Sequence, residues 1–353
     1  MKLGDVATYV NGYAFKPSDY SDSGLPIVRI QNLTGNAYRT NRYEGTLPEK
    51  FAIQDGDILI SWSASLGVFE WNQGSAWLNQ HIFRVVFNKA MIDKRFFVHQ
   101  ARFLIQKSQN LAHGATMKHL TKKVFEMLPF LYLGLNNQKM IAEQLDALDT
   151  QINRAKRQIR FLDNLVKSRF VEMFGDPVLN PKGWSTHNLK ALGELKNGVN
   201  FKSVDNGFEI KCLGVGDFKD RYAIKDMSLV SDVSLNDEPN ANQLLQDGDV
   251  VFVRSNGNKA LVGRCLAIFP GEEKVTFSGF CIRFRNASKK LELDYLLNCL
   301  KTDSIRRAMT GRGANIQNLS QSLLSKIEIP LPPIALQREF AAFVSQVDKS
   351  RFS

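Results

Sequence analysis

Residues 136–174 read NNQKMIAEQLDALDTQINRAKRQIRFLDNLVKSRFVEMF, a stretch without Gly or Pro. Apolar residues recur in it at alternating spacings of four and three, a heptad pattern sustained for more than four heptads. The pattern predicts one helix that ends at Gly175-Asp176-Pro177 and is roughly 58 Å long at about 1.5 Å per residue. Its narrow apolar seam needs a partner helix. We assign to the seam Ile141, Leu145, Leu148, Ile152, Ile159, Leu162 and Val166.

The sequences on the two sides of this helix repeat one another in the same order. Gln138 and Gln337, 199 residues apart, close the two copies. A duplicated module predicts two similar binding sites, and a rigid helix between them predicts a fixed distance. The matching segments are residues 3–5 with 192–194, 11–16 with 197–202, 55–58 with 247–250, and 114–121 with 313–320.

Within each copy, short β-rich runs are separated by Gly, Asn and Asp and are followed by a helical pattern. We predict helices at 96–111 and 294–309. The fold class is therefore α+β, with two duplicated mixed α/β domains separated by long coiled-coil helices. The predicted domains are residues 1–133 and 176–333, and the helical segments are residues 134–175 and 334–353.

The second helical segment begins the same apolar pattern after Pro330-Leu331-Pro332-Pro333, with Phe340 and Val347 as its seam residues. The sequence ends at Ser353, whereas the first helix continues for about 25 residues past the equivalent point. We therefore expect a truncated second helix that buries fewer apolar layers against the first.

The net charge of +11 and the pI near 9.4 favour a polyanionic partner, because Lys and Arg displace counterions from phosphate backbones. A basic protein without such a partner is the competing interpretation. The four cysteines have no CxxC or zinc-finger spacing and are expected to be reduced and buried. No apolar run is as long as a membrane span, so we expect a cytoplasmic protein.

The motifs of common catalytic sites are missing from the sequence. There is no GxxxxGK[ST] phosphate loop, and the five histidines form no HExxH or other metal-binding pair. Metal-assisted hydrolysis needs converging carboxylates, and no set of them is evident. We therefore expect neither a catalytic site nor a metal site in this chain.

Candidate nucleic-acid contacts stand at equivalent places in the two copies. After a predicted strand, the second copy carries guanidinium, amide and ammonium groups that can contact bases or phosphates, and the first copy carries a polar counterpart. A second pair of loops follows the predicted helices. A solvated polar loop is the competing interpretation at each position. The predicted DNA contacts are Ser61, Trp62, Ser63, Thr116, Lys118 and Lys122 in the first copy, and Arg254, Ser255, Asn256, Asn258, Lys259, Arg312, Asn315 and Gln317 in the second.

Taken together, these motifs resemble the specificity subunit of type I restriction-modification systems over essentially the whole chain. The resemblance rests on the doubled Asn-Gly-x-x-Phe-Lys, Asp-Gly-Asp-Ile/Val and Gly-Ala-x-x-x-x-Leu-Thr/Ser motifs. It also rests on the segments 173–184 and 331–340.

The resemblance implies a non-catalytic subunit whose two domains each read one half of a bipartite, asymmetric DNA target. Antiparallel helices would set the spacer and dock methyltransferase (modification) subunits, and ATP-dependent restriction subunits would join for cleavage. S-adenosylmethionine, ATP and Mg²⁺ would be held by those partners and not by this chain. The alternatives are a shortened, inactive or half-functional specificity copy, a nuclease or methyltransferase fragment, and a coiled-coil nucleic-acid-binding adapter.

Overall fold

A computed structural model of the chain describes residues 1–37, 39–63, 65–111, 121–200, 207–219, 221–310 and 318–351. The chain divides into two compact units, Met1–Arg154 and Ala155–Ser353. None of the helices in these described ranges is long and apolar enough to cross a lipid bilayer.

The first unit combines two small sheets with helices. Its strands are β1 (Thr8–Asn11), β2 (Leu25–Val28), β3 (Arg42–Tyr43), β4 (Ala52–Ile53), β5 (Ile58–Ser61), β6 (Gly67–Glu70), β7 (Ala76–Leu78) and β8 (Ile82–Val86). Its helices are α1 (Leu3–Val6), α2 (Ile30–Leu33), α3 (Lys94–Leu111), α4 (Lys122–Glu126) and the beginning of α5 (Leu135–Phe174), with 3-10 turns at Pro17–Asp19 and Glu49–Phe51.

The strand order of the first unit is β1-β8-β5-β6 in an antiparallel sheet and β3-β2-β7-β4 in a mixed sheet. The main core lies between the first sheet and α3. Buried Phe83, Phe97 and Phe125 belong to it, and Ala142 of α5 packs against it. The apolar periodicity of the sequence thus places α3 and the start of α5 on one core.

The second unit repeats this plan. Its strands are β9 (Thr186–Asn188), β10 (Gly193–Asn197), β11 (Phe208–Leu213), β12 (Ala223–Ile224), β13 (Asp232–Leu235), β14 (Asp249–Val253), β15 (Cys265–Ile268), β16 (Val275–Phe277), β17 (Cys281–Asn286) and β18 (Glu328–Pro330). Its helices are the end of α5, α6 (Leu189–Leu192), α7 (Leu293–Leu300), α8 (Asp303–Thr310), α9 (Gln321–Ser325) and α10 (Ile334–Ser350), with 3-10 turns at Val215–Asp217, Met227–Leu229, Ala241–Gln243 and Lys259–Leu261.

The sheets of the second unit have the same arrangement as those of the first. The order β10-β17-β14-β15-β12 extends the first unit's antiparallel order by one strand, and β13-β11-β16 contains the equivalent parallel pair, β11 with β16. A further two-stranded sheet joins β18 to β9. The predicted α+β class is confirmed, and the duplication extends to strand order and register.

One predicted helix was wrong. The stretch 294–309 forms two helices, α7 and α8, because Thr302 interrupts it. The Thr302 hydroxyl donates to the Cys299 carbonyl at 2.8 Å and accepts from the Ile305 N–H at 3.4 Å. A side chain that takes these backbone groups ends one helix and caps the next.

The predicted long helix is confirmed as α5, which ends at Gly175 in a left-handed conformation (φ 78°). In the second unit α10 packs against the end of α5. The Phe340 ring lies 5.5 Å from the rings of both Phe170 and Phe174. Ion pairs join Arg169 to Glu339 at 3.3 Å and Asp163 to Arg351 at 2.6 Å. The two partner sequences run in opposite directions, so the packing is antiparallel.

Two buried glutamines attach α5 and α10 to their units in the same way. The Gln138 side chain accepts from the Asp93 N–H at 2.9 Å and donates to the carbonyls of Met91 and Leu133 at 3.2 and 2.7 Å. Gln337 makes the same three bonds, at 2.9, 3.0 and 2.8 Å, to backbone groups 199 positions further on. Its partners are Glu292, Lys290 and Pro332. Both glutamines are fully buried. We call this arrangement the glutamine clamp.

Strands β5 and β14, which precede the loops with predicted DNA contacts, begin with equivalent hydrogen bonds. Asp57 and Asp249 accept hydrogen bonds from the N–H groups of Gln54 and Gln246, at 2.9 and 2.7 Å. Only 1% of Asp249 is exposed, and Arg285 pairs with it through two bonds, Nε to Oδ1 at 2.8 Å and Nη2 to Oδ2 at 2.7 Å. This bidentate pair raises the pKa of Arg285 and compensates the buried carboxylate.

Candidate nucleic-acid interface

The candidate loops follow β5 in the first unit and β14 in the second, and the same backbone bonds fix both. The Trp62 N–H donates to the His81 carbonyl at 3.4 Å, and the Arg254 N–H donates to the Phe280 carbonyl at 2.8 Å. Equivalent positions thus carry an indole in one copy and a guanidinium in the other. The backbone frame is common to the two loops, whereas the side chains that it presents differ.

A close contact between two backbone segments supports the frame of each loop. Gly12 and Gly198 lie against the strand ends at Leu78 and Ser278, where an added Cβ would come within 2.2 Å of a carbonyl oxygen. The N–H group of the next residue donates to an equivalent carbonyl in each copy, from Tyr13 to Leu78 at 2.7 Å and from Val199 to Phe277 at 2.8 Å. Only Gly fits here, which explains why a Gly stands at this position in both halves of the sequence.

In the second loop, local bonds order the predicted contact residues. The side-chain oxygens of Asn256 and Asn258 accept the N–H groups of Asn258 and Ala260, at 2.7 and 3.0 Å. These Asx turns use the oxygen of each amide, so its NH₂ end is the donor directed away from the turn. Arg254 is half-buried and donates to the Gly279 carbonyl at 3.3 Å, and Ser255 pairs with Asn318 in an isolated bridge.

The first loop is less exposed than the sequence suggests. Ser61 is fully buried and its hydroxyl donates to the Ser65 carbonyl, while Ser63 is 8% exposed. Trp62 is half-buried and stacks on Phe83 with ring centroids 5.8 Å apart. The burial of Ser61 argues against a direct DNA contact from its hydroxyl. The Trp62 side chain remains partly accessible in this loop.

An exposed aromatic ring beside each loop was missed in the sequence. His81 and Phe280 stand at equivalent positions directly before β8 and β17, and Phe280 is 62% exposed. Their carbonyls hold Trp62 and Arg254, so the rings lie next to the candidate loops. The equivalence follows from the 199-residue offset. A ring of this kind can stack on a base or wedge between bases.

The other predicted contact residues lie outside these two loops or have side chains that the structure does not describe. Lys122, the first residue of α4, lies 3.8 Å from Glu126 in an ion pair one helical turn on. The backbone of Lys259 lies in a 3-10 turn, and its side chain is outside the described part of the structure. The remaining predicted contacts also lie outside the described residues, namely Thr116, Lys118, Arg312, Asn315 and Gln317.

The predicted seam divides into buried ends and an exposed middle. Ile141, Leu145, Leu162 and Val166 are buried or half-buried. Every residue from 147 to 161 is exposed, and Leu148, Ile152 and Ile159 are each 42–52% exposed. We call residues 147–161 the open segment of α5. It also carries four cations, Arg154, Lys156, Arg157 and Arg160.

The described residues contain neither a cluster of potential metal ligands nor an exposed thiol. No group of three or more His, Cys, Asp or Glu side chains there is placed to hold a metal ion. All four cysteines are buried, and burial raises the pKa of the Cys212 thiol to about 12 and that of Cys265 to about 11. Thiols of this kind are inert at neutral pH.

Two modules with one backbone frame and unlike side chains on equivalent loops define a paired recognition protein. A family model described as the type I restriction modification DNA specificity domain matches residues 1–160 and, a second time, residues 181–352. The chain belongs to this family, and the resemblance noted in its sequence is confirmed.

Related proteins agree with this assignment. The type I restriction enzyme EcoBI specificity subunit of Escherichia coli is 24% identical over 237 residues, which cover 60% of this chain and 50% of that relative. The StySPI specificity subunit of Salmonella potsdam is 24% identical over 378 residues, which cover 98% of this chain and 81% of the relative. The crystal structure of a type I restriction-modification system S subunit from M. genitalium matches 99% of this chain and 89% of its own, with 15% identity and a TM-score of 0.51. The last similarity concerns the fold alone.

Proposed function

We propose that this chain is the DNA sequence-specificity subunit of a type I restriction-modification complex, and that each module reads one half of a bipartite, asymmetric target. The observation that carries the proposal is the common backbone frame with unlike side chains, Trp62 and His81 in one loop and Arg254 and Phe280 in the other. Equal frames hold the two loops alike, and unlike side chains select different bases.

The helices supply the second part of the proposal. α5 sets the spacer between the half-sites, and α10 forms an antiparallel coiled coil with its last turns. The open segment of α5 docks methyltransferase subunits, because its apolar residues need cover and its cations favour an acidic or nucleic-acid surface. Restriction subunits complete the complex. S-adenosylmethionine, ATP and Mg²⁺ belong to those partners, and this chain contributes specificity without catalysis.

Genome-wide mapping of adenine methylation tests whether each module recognises one half of the target. Cells that express the chain with its modification subunit should carry methylated adenines in one interrupted motif with two unlike halves. The substitutions Arg254→Ala and Asn256→Ala should relax or change one half of the motif, and Trp62→Ala should change the other half. Methylation without an interrupted motif, or a simultaneous change of both halves by one loop variant, would refute the assignment. Binding of the modification subunit without methylation would instead indicate an inactive copy.

Co-purification with the modification subunit tests the docking function. Leu148→Glu with Ile152→Glu places two charges on the seam, and we expect it to abolish co-purification. The matched control, Gln151→Glu with Asn153→Glu, adds the same charge to exposed neighbours off the seam and should retain the partner. Equal retention by both double variants would exclude the open segment as the docking site.

A further inference from the structure

A pocket of about 290 Å³ in the second unit is surrounded by cations. They come from five separate segments of the chain, namely the end of α5, the loop after β11, the approach to β15, the end of α7, and α8. No carboxylate is among the described residues that line the pocket. We call it the cationic pocket, and its basic residues are Lys167, Lys219, Arg221, Arg264, Lys301 and Arg306.

Backbone carbonyls hold the three guanidinium groups in position. Arg221 donates to the Asp217 carbonyl at 2.9 Å, Arg264 donates to the Lys219 carbonyl at 2.9 Å, and Arg306 donates to the Ala260 carbonyl at 3.0 Å. These cations are therefore held in place before any ligand arrives, which lowers the entropy cost of binding an anion.

Lys301 is one of the half-buried cations of the set. Its Nζ lies 4.1 Å from the centroid of the Tyr222 ring. Burial lowers the pKa of Lys301, and Lys167 and Arg351 lower it further, while Asp163 and the Cys265 thiol act in the opposite sense. An anion in the pocket would offset the cost of holding this ammonium group away from water.

A larger neighbouring groove shows why the charge of the pocket matters. That groove, of about 780 Å³, shares Lys167 and Lys301 but is also lined by four aspartates, Asp163, Asp176, Asp303 and Asp348. Its mixed charge gives no preference for an anion. The selectivity for negative charge is confined to the side of Lys301 that faces the cationic pocket.

The cationic pocket adjoins the candidate loop of the second unit. Arg306 donates to Ala260 in the turn that follows Asn258, and the backbone N–H of Arg264 donates to Leu261 in the same turn, at 3.0 Å. The pocket is too small for a duplex, but a single phosphate group and its bound waters fit its volume.

We infer that the cationic pocket binds a phosphate group, supplied either by the DNA backbone beside the second half-site or by a free phosphorylated ligand. The first source rests on the proposed function, and the second does not. In the first case the pocket fixes the register of the duplex, while the neighbouring loop reads its bases. Guanidinium and ammonium groups that converge from five segments suit the oxygens of one phosphate group.

The salt dependence of DNA binding tests the first source. Lys167→Gln with Lys219→Gln removes two exposed charges from the pocket, and the control, Lys289→Gln with Lys326→Gln, removes two exposed charges elsewhere in the unit. With a labelled duplex that carries the methylated motif, the slope of log K against log salt should fall by about 0.9 for the pocket variant, which is the contribution of one phosphate contact. From about 50 to about 200 mM salt this is roughly a 3.5-fold difference. The control should keep the slope of the unsubstituted chain.

Calorimetric titration of the same proteins with pyrophosphate tests the second source. Saturable binding that is lost in the pocket variant and kept in the control, with equal DNA slopes, would identify a free ligand as the source. Equal slopes together with no pocket-dependent pyrophosphate binding would overturn the inference. If the unsubstituted chain binds no duplex, the proposed function fails, and the pyrophosphate titration still decides whether the pocket binds phosphate.

Discussion

Replacing either clamp glutamine should destabilise its unit, and by the same amount. Gln138→Ala and Gln337→Ala each delete three hydrogen bonds at a fully buried site. They also leave one N–H and two carbonyl groups without those partners. A typical bond contributes about 1 kcal/mol, and a buried group left unsatisfied costs about 1–3 kcal/mol. We expect a loss of about 3 kcal/mol, because water reaches some of the exposed groups after the truncation.

Urea unfolding of the full chain measures this loss. With a slope of about 2 kcal/mol per M, the midpoint of the affected transition should fall by about 1.5 M. The matched controls are Gln151→Ala on α5 and Gln346→Ala on α10, which make the same exchange at exposed positions on the same helices. They should leave the midpoint unchanged or raise it slightly, since Ala is the better helix former. Clamp variants that behave like these controls would refute the structural role of the two glutamines.

Three further predictions follow from the second unit. Arg285→Met leaves the Asp249 carboxylate buried without its bidentate partner and should lower the free energy of unfolding in urea by about 3–5 kcal/mol. The control Lys274→Ala breaks the exposed pair with Glu238 and should lower it by less than about 1 kcal/mol. Similar losses for the two variants would contradict the argument. Arg254→Ala should weaken binding to the target duplex by about 1–3 kcal/mol and leave binding to a duplex altered in that half-site nearly unchanged, as measured by anisotropy. Folding lowers the pKa of Lys301, so this group binds fewer protons in the folded state, and its contribution to stability increases as pH rises towards the ordinary lysine pKa. Lys301→Met should flatten this alkaline rise, stabilise the chain at neutral pH by about 1 kcal/mol and weaken phosphate binding. A lower unfolding midpoint for this variant would contradict the argument.

The sequence predicted those features that depend on local patterns. An uninterrupted heptad run predicted α5, and repeated Gly and Gln positions predicted two modules with one plan, because these residues have short-range or purely backbone roles. The break at Thr302 was missed, since a threonine in a helical pattern gives no sign that its hydroxyl will take a backbone carbonyl.

The candidate site was predicted in outline only. The loop after β14 was identified, but the burial of Ser61 and the exposed ring of Phe280 depend on how strands pack and could not be derived from residue type. The cationic pocket was missed for a similar reason. Its cations lie between residues 167 and 306, and no local pattern links charges that only the tertiary fold brings together.

The glutamine clamp has a consequence for how such proteins change over time. Each clamp glutamine forms these hydrogen bonds only with main-chain atoms, at Met91, Asp93 and Leu133 in one unit and at their equivalents in the other. Mutations that replace the side chains of the modules therefore leave these clamp bonds in place. Each module can acquire a new target independently, and a recombination event that exchanges one whole module for a foreign one would join it to the helix through the same three bonds.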